Sequence, residues 1–145
     1  MTINEEAQAA LAAKKDADRH LAETVTCPPW RHGVFGLVMG ALVATPALPL
    51  ALRFGAMVLI LVAIAAIVQA DRRRMGVFVN GYRRGKTLIV SIVMLAAVLA
   101  LYLVSASAGL AGDHLTPLAL GAAAFVLSVI GSVVWQRVFI GELRA

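Results

Sequence analysis

Gly81-Tyr82-Arg83-Arg84-Gly85-Lys86-Thr87 comes nearest, in this chain, to a segment built for chemistry. It has the residue types of a loop whose backbone N–H groups cradle phosphates, whose lysine reaches the outer phosphates and whose hydroxyl holds Mg2+. The spacing is one residue short of that pattern. The stretch before it does not read as a strand, and a long apolar run follows it. Nucleotide binding is therefore not expected. The plainer reading is a cationic edge with glycines for turning. Val77 to Gly81 either forms a small hairpin turn at Asn80-Gly81 or dips its apolar residues into a membrane interface.

A second group is Asp16, His20, Cys27 and His32. Asp16 and His20 share one helix face, and Cys27 and His32 flank Pro28-Pro29. Metal centres of known type have tighter signatures, such as C-x-x-C or H-E-x-x-H, so no metal ligand is expected here. A lone cysteine forms no intrachain disulfide. Beside a bilayer, Cys27 is a candidate for lipid attachment. No apolar signal core precedes it, so it does not read as a lipoprotein site.

The third group is cationic: Arg72, Arg73, Arg74, Arg83, Arg84 and Lys86. Near a membrane each basic residue attracts anionic head groups by about 1 kcal/mol. The bland alternative is that these charges only set orientation. Net charge +5 would raise nucleic-acid binding in a soluble chain. Here the cations border apolar runs, so lipid is the expected partner and nucleic acid is not.

The elements that hold these residues belong to a chain that is 61% hydrophobic, with a mean hydropathy of +0.86. The excess is gathered into charge-free runs, which makes lipid the solvent for most of the chain. We expect an all-α integral membrane bundle of four transmembrane helices, two antiparallel hairpins, preceded by a short cytoplasmic helix. The tail, residues 1–29, reads as that solvated helix: Asn4 caps, Glu5 and Glu6 suit its positive end, and Pro28-Pro29 ends it. The membrane domain covers 30–137, with spans near 33–47, 50–70, 88–109 and 117–135 and a basic loop at 71–87. Residues 138–145 form a short C-terminal tail. Pro46 and Pro49 turn the chain between the first two spans. These have roughly 17 residues each, at the lower limit for crossing ~30 Å of hydrocarbon, so a re-entrant hairpin is the alternative there. Thr116-Pro117 reads as the start of the last span.

Trp30 and Arg31 at one end, and Trp135 and Arg137 at the other, are expected interface anchors. Of the 13 basic residues only Arg53 falls in an outer turn. The positive-inside rule then puts both termini and the 71–87 loop in the cytoplasm, in a cell (inner) membrane. Gly36, Gly40 and Ala44 recur every fourth residue, a spacing that lets two helix backbones approach closely in lipid, within the chain or between copies. Ser105 with Gly109, and Ala124, Ser128 and Ser132, offer similar faces.

Taking Arg53 as a boundary residue, the spans contain no Asp, Glu, Lys, Arg or His. Ion-coupled carriers and proton pumps place ionisable groups at membrane depth. Size and layout resemble the small multidrug-resistance exporters. Those rest on a glutamate in the first span, and 33–47 has none. No catalytic residue and no cofactor is expected. The expected function is that of a small non-enzymatic membrane protein, an accessory or regulatory subunit acting by helix packing and a basic cytoplasmic loop, with a membrane-protein partner or a second copy. The alternative is a small oligomeric transporter or channel whose pore is lined by Ser, Thr and Tyr102.

Overall fold

The computed structural model of the chain describes residues 3–25, 28–75 and 85–144. Among these every element is helical: α1 (Ile3–Val25), α2 (Pro29–Ala44), a 3-10 turn (Thr45–Ala47), α3 (Leu50–Met75), α4 (Lys86–Leu110) and α5 (Leu115–Arg144). Arg83, Arg84, Cys27 and the Asn80-Gly81 turn lie outside the described residues. The helices α3, α4 and α5 are each long and apolar enough to cross a membrane. Four spans were expected. The first of them, α2, is a 16-residue helix, or about 24 Å of rise, and falls short by itself of ~30 Å of hydrocarbon.

Proline chemistry sets the breaks. Pro28 takes φ −64 and ψ 147, the extended geometry forced on a residue that precedes proline, and Pro29 then opens α2 where its missing N–H costs nothing. Leu48, before Pro49, is likewise extended at ψ 149, which ends the 3-10 turn and frees α3 to start at Leu50. The α4–α5 turn is built differently. Gly112, at φ 83, occupies the left-handed position that glycine takes without strain. The Asp113 N–H then donates to the Ala108 carbonyl at 3.0 Å and the Gly112 N–H to the Gly109 carbonyl at 3.2 Å, closing α4 in a Schellman motif.

The start of α5 differs from the expectation. The helix begins at Leu115, not at a Thr116 cap with Pro117 first. Its cap is Asp113, whose carboxylate accepts the Leu115 N–H at 2.9 Å, the Thr116 N–H at 3.2 Å and the Thr116 hydroxyl at 2.5 Å. A carboxylate accepts several donors at once where a hydroxyl accepts fewer, so aspartate takes the role. At the other end α5 runs unbroken through Trp135 and Arg137 to Arg144, so the segment read as a tail is its last turns.

The core sits where α5 meets α2 and α4. Buried residues of α5 recur as Pro117, Gly121, Ala124, Ser128 and Gly131, alternating four and three apart, a heptad-like seam made of small side chains. The stripe of covered residues on α4 follows the same period from Thr87 through Met94 to Ser105. The outer faces of α3, α4 and α5 carry large exposed apolar residues, among them Phe54, Leu59, Val93, Leu103 and Ile130. Such a surface fits a chain whose solvent is lipid. α3 is the least covered: of its described side chains only Ile60 is buried, within a half-covered stripe that runs from Arg53 to Asp71.

Candidate functional site

The contacts of Arg31, Asp71, His32 and Glu142 between helices gather at one end of the helices, and this end is the candidate site. It is assembled from the start of α2, the end of α3, the start of α4 and the end of α5. Arg31 grips Asp71 with two nitrogens: Nε donates to Oδ1 at 2.8 Å and to Oδ2 at 3.0 Å, and an Nη of the same guanidinium also donates to Oδ2. Both side chains are partly buried. A two-pronged guanidinium–carboxylate contact fixes direction as well as distance, so it ties the last turns of α3 to the first turn of α2.

One turn into α2, His32 is 8% exposed, and its Nδ1 lies 2.8 Å from the Ser132 hydroxyl of α5. Glu142, near the end of α5, reaches the start of α4. Its carboxylate accepts the Lys86 backbone N–H, and the Thr87 hydroxyl donates to it at 3.2 Å. The N-terminal N–H groups of a helix lack partners within it, and a carboxylate meets both that need and the positive end of the dipole. Gly85 leaves room for it: a Cβ there would lie 2.7 Å from a Glu142 oxygen, and Gly85 stands at φ 144.

Around these contacts sit cations. Arg72 and Arg73 lie in the last turns of α3, Lys86 opens α4, and Arg137 is exposed on α5. Arg74 continues α3. Trp135 stacks on Phe139 with ring centroids 5.1 Å apart and 6° between planes, and Phe139 is buried. Trp30 is exposed beside Arg31.

The opposite end holds fewer charges, and they serve the turns. The Arg53 guanidinium donates to the carbonyls of Pro46 at 2.9 Å and Leu48 at 3.3 Å, at the C-terminal end of the α2 segment where a cation complements the dipole. His114 Nδ1 donates to the Ala47 carbonyl at 2.9 Å and so joins the two turns at this end. The Thr116 hydroxyl, followed by the Thr116 and Leu115 N–H groups, holds the Asp113 carboxyl below its ordinary value.

Between the ends the contacts are steric. Gly36 and Gly40 face α5. A Cβ at Gly36 would meet Val129 Cγ2 at 2.5 Å and the Phe125 carbonyl at 2.9 Å; one at Gly40 would meet the Gly121 carbonyl at 2.8 Å. A Cβ at Gly121 would in turn meet the Ala44 Cβ at 2.8 Å and the Gly40 carbonyl at 2.9 Å. The small-residue stripe thus lies on α5 of the same chain, with the two helices antiparallel. The Ser105 hydroxyl, fully buried, donates to the Val43 carbonyl at 2.6 Å, and the Thr45 hydroxyl to the Leu42 carbonyl at 2.7 Å.

Asp16 and His32 stand on different helices, and among the described residues no three His, Cys, Asp or Glu side chains come together as a metal site. Sequence reasoning missed Asp71, Glu142, Ser132 as the partner of His32, and Gly121. Asp71 had a signal: it is the one acidic residue in the basic 71–87 stretch. Glu142 had none, since its partner lies 56 residues away. Comparison with protein families, curated proteins and solved structures finds no match to this chain.

Proposed function

We propose that this is a four-span membrane protein of the cell (inner) membrane, with both termini in the cytoplasm and no enzymatic activity. It acts as an accessory or regulatory subunit, through helix packing and a basic loop at the membrane surface. The observation that carries the reading is the sorting of charge between the two ends of α2–α5. Arg31, Arg72, Arg73, Lys86 and Arg137 gather at one end, and Arg53 stands at the other. That asymmetry is the one that orients membrane proteins with their cationic side inward. From Gly33, past the boundary residues Trp30 and Arg31, α2 and the 3-10 turn together rise about 24 Å, short of the ~30 Å of hydrocarbon, so the fourth span rests on the charge sorting and not on length. Tight packing on α5 would cover its backbone throughout.

Two buried hydroxyls among those proposed for a pore in the alternative reading are engaged elsewhere. Ser105 and Thr45 donate to carbonyls inside the bundle. That supports packing as the work of the spans.

Cys27, the chain's one cysteine, tests the topology directly. With four spans it is shielded from a membrane-impermeant thiol reagent in intact cells and reacts after lysis. With three spans it reacts from outside, which would overturn the reading. Mild extraction from the native membrane, followed by mass spectrometry, tests the role. A stoichiometric second protein supports an accessory subunit. A homo-oligomer without partner, with substrate flux in proteoliposomes, would replace it with the transport reading.

A further inference from the structure

The outer surface of the α4–α5 pair carries a groove of about 280 Å³, open to the surroundings and lined by apolar residues alone. Ile89 and Val93 form one wall, Ile130 and Val134 the other, and Met94 lies across the floor over Gly131. The volume is just under the ~300–1,000 Å³ of small-molecule pockets, and it lacks the convergent polar groups that orient such ligands. A second helix, about 10 Å across, seats on small residues. These walls are bulky and mostly β-branched, so a slimmer guest fits them.

The groove has a charged mouth. Lys86 stands three and seven residues before Ile89 and Val93, on the same face of α4, and Arg137 stands seven and three residues after Ile130 and Val134, on the same face of α5. Both are exposed, and Glu142, which joins the end of α5 to the start of α4, shows that they lie at the same end. Among the described residues neither side chain is ion-paired. Glu142 itself is occupied with the Lys86 N–H and the Thr87 hydroxyl.

We propose that this groove holds one acyl chain of an anionic phospholipid, with the head-group phosphate between Lys86 and Arg137. The assignment deepens the membrane-surface reading above and rests on α4 and α5 spanning, which the three-span and four-span topologies share. An apolar slot continuous with two cations on one membrane face matches the two halves of such a lipid: the chain loses no polar contact, and the phosphate gains two.

The test is native mass spectrometry of protein equilibrated with equal phosphatidylglycerol and phosphatidylcholine of identical chains. The wild type is expected to retain one phosphatidylglycerol preferentially. Each cation neutralised should weaken that preference about fivefold, and Lys86→Gln with Arg137→Gln about 25-fold. Lys86→Arg with Arg137→Lys should keep it. Val93→Trp, which fills the groove and leaves every charge, should remove retention of both lipids. Leu59→Trp, on the exposed face of α3, should remove neither. Preference unchanged in the double Gln variant, retention unchanged in Val93→Trp, or equal loss in Leu59→Trp overturns the proposal. Cys27 labelling reads the topology separately, so a failed lipid site and a failed topology are told apart.

Discussion

Replacing Gly40 by alanine drives a methyl group into the α5 backbone. The new Cβ would stand 2.8 Å from the Gly121 carbonyl oxygen and 3.0 Å from Phe125 Cβ. A carbonyl within a helix cannot rotate aside, so α2 must retreat by roughly half an ångström, and a gap of that size forfeits about a quarter of the dispersion well of each contact along the seam. Overpacking of this kind costs about 1–3 kcal/mol. Alanine also gains about 1 kcal/mol over glycine in helix propensity, which would mask part of the loss. Gly33 supplies the control: it lies in the same helix, and a Cβ there meets nothing within 4 Å. Gly33→Ala therefore carries the propensity gain alone, and the difference between the two variants isolates the steric term. Unfolding in mixed micelles with rising dodecyl sulfate measures it, followed by the fluorescence of Trp30 and Trp135, one at the start of α2 and one on α5. Gly33→Ala should match or exceed the wild type. Gly40→Ala should lie below Gly33→Ala by about 1–3 kcal/mol, a factor of about 5 to 150 in the folded ratio. Equal stability of the two variants would refute the close α2–α5 contact.

Three further outcomes follow from the same geometry. Asp71→Asn removes the charge that Arg31 holds and should cost about 1–3 kcal/mol, with faster hydrogen exchange confined to the last turns of α3; Arg31→Lys, which keeps the charge and loses the fork, should reproduce most of it. Asp113 has a depressed pKa, so its contribution is fully present above its ordinary value of 3.8 and is lost as pH falls through the lowered one; Asp113→Asn should flatten acid unfolding in that window, and an unchanged profile would count against the cap. Ser128 is fully buried and, among the described residues, its hydroxyl has no hydrogen-bond partner. Ser128→Ala should therefore be neutral or stabilising in the same micelle titration, whereas a loss above about 1 kcal/mol would mean that the hydroxyl is engaged.

Helix content and the positions of the breaks were legible because proline and hydropathy act locally. Pro28, Pro46 and Pro49 interrupt the chain wherever they stand, and apolar runs of twenty residues have one use. The ends of elements were less legible. Aspartate at 113 outcompetes the threonine that follows it, and the last helix continues past Trp135 and Arg137 because no proline follows them to stop it. The Gly36, Gly40 and Ala44 stripe could be seen, while its partner could not: a repeat of small residues says that something approaches, without naming Gly121. The α5 seam was read as Ala124, Ser128 and Ser132, a spacing of four. The structure alternates four and three through Gly121, Ala124, Ser128 and Gly131, because helices that pack nearly parallel over several turns follow 3.5 residues per turn. Pairings such as Glu142 with Lys86 and Thr87 depend on which helices are neighbours, and one sequence does not carry that.

The pairing of α2 with α5 also sets a timetable for the nascent chain. His32 and Ser132 are 100 residues apart, and synthesis at about 5–20 residues per second separates their appearance by roughly 5–20 seconds. During that wait the glycine face of the earliest apolar helix has no mate, and α3 and α4 emerge beside it without covering it. A ribosome that stalls before Gly121 leaves a product in which Gly36 and Gly40 of α2 lack the α5 surface they pack on. Such a product displays along α2 a strip of glycine backbone that the finished chain keeps covered.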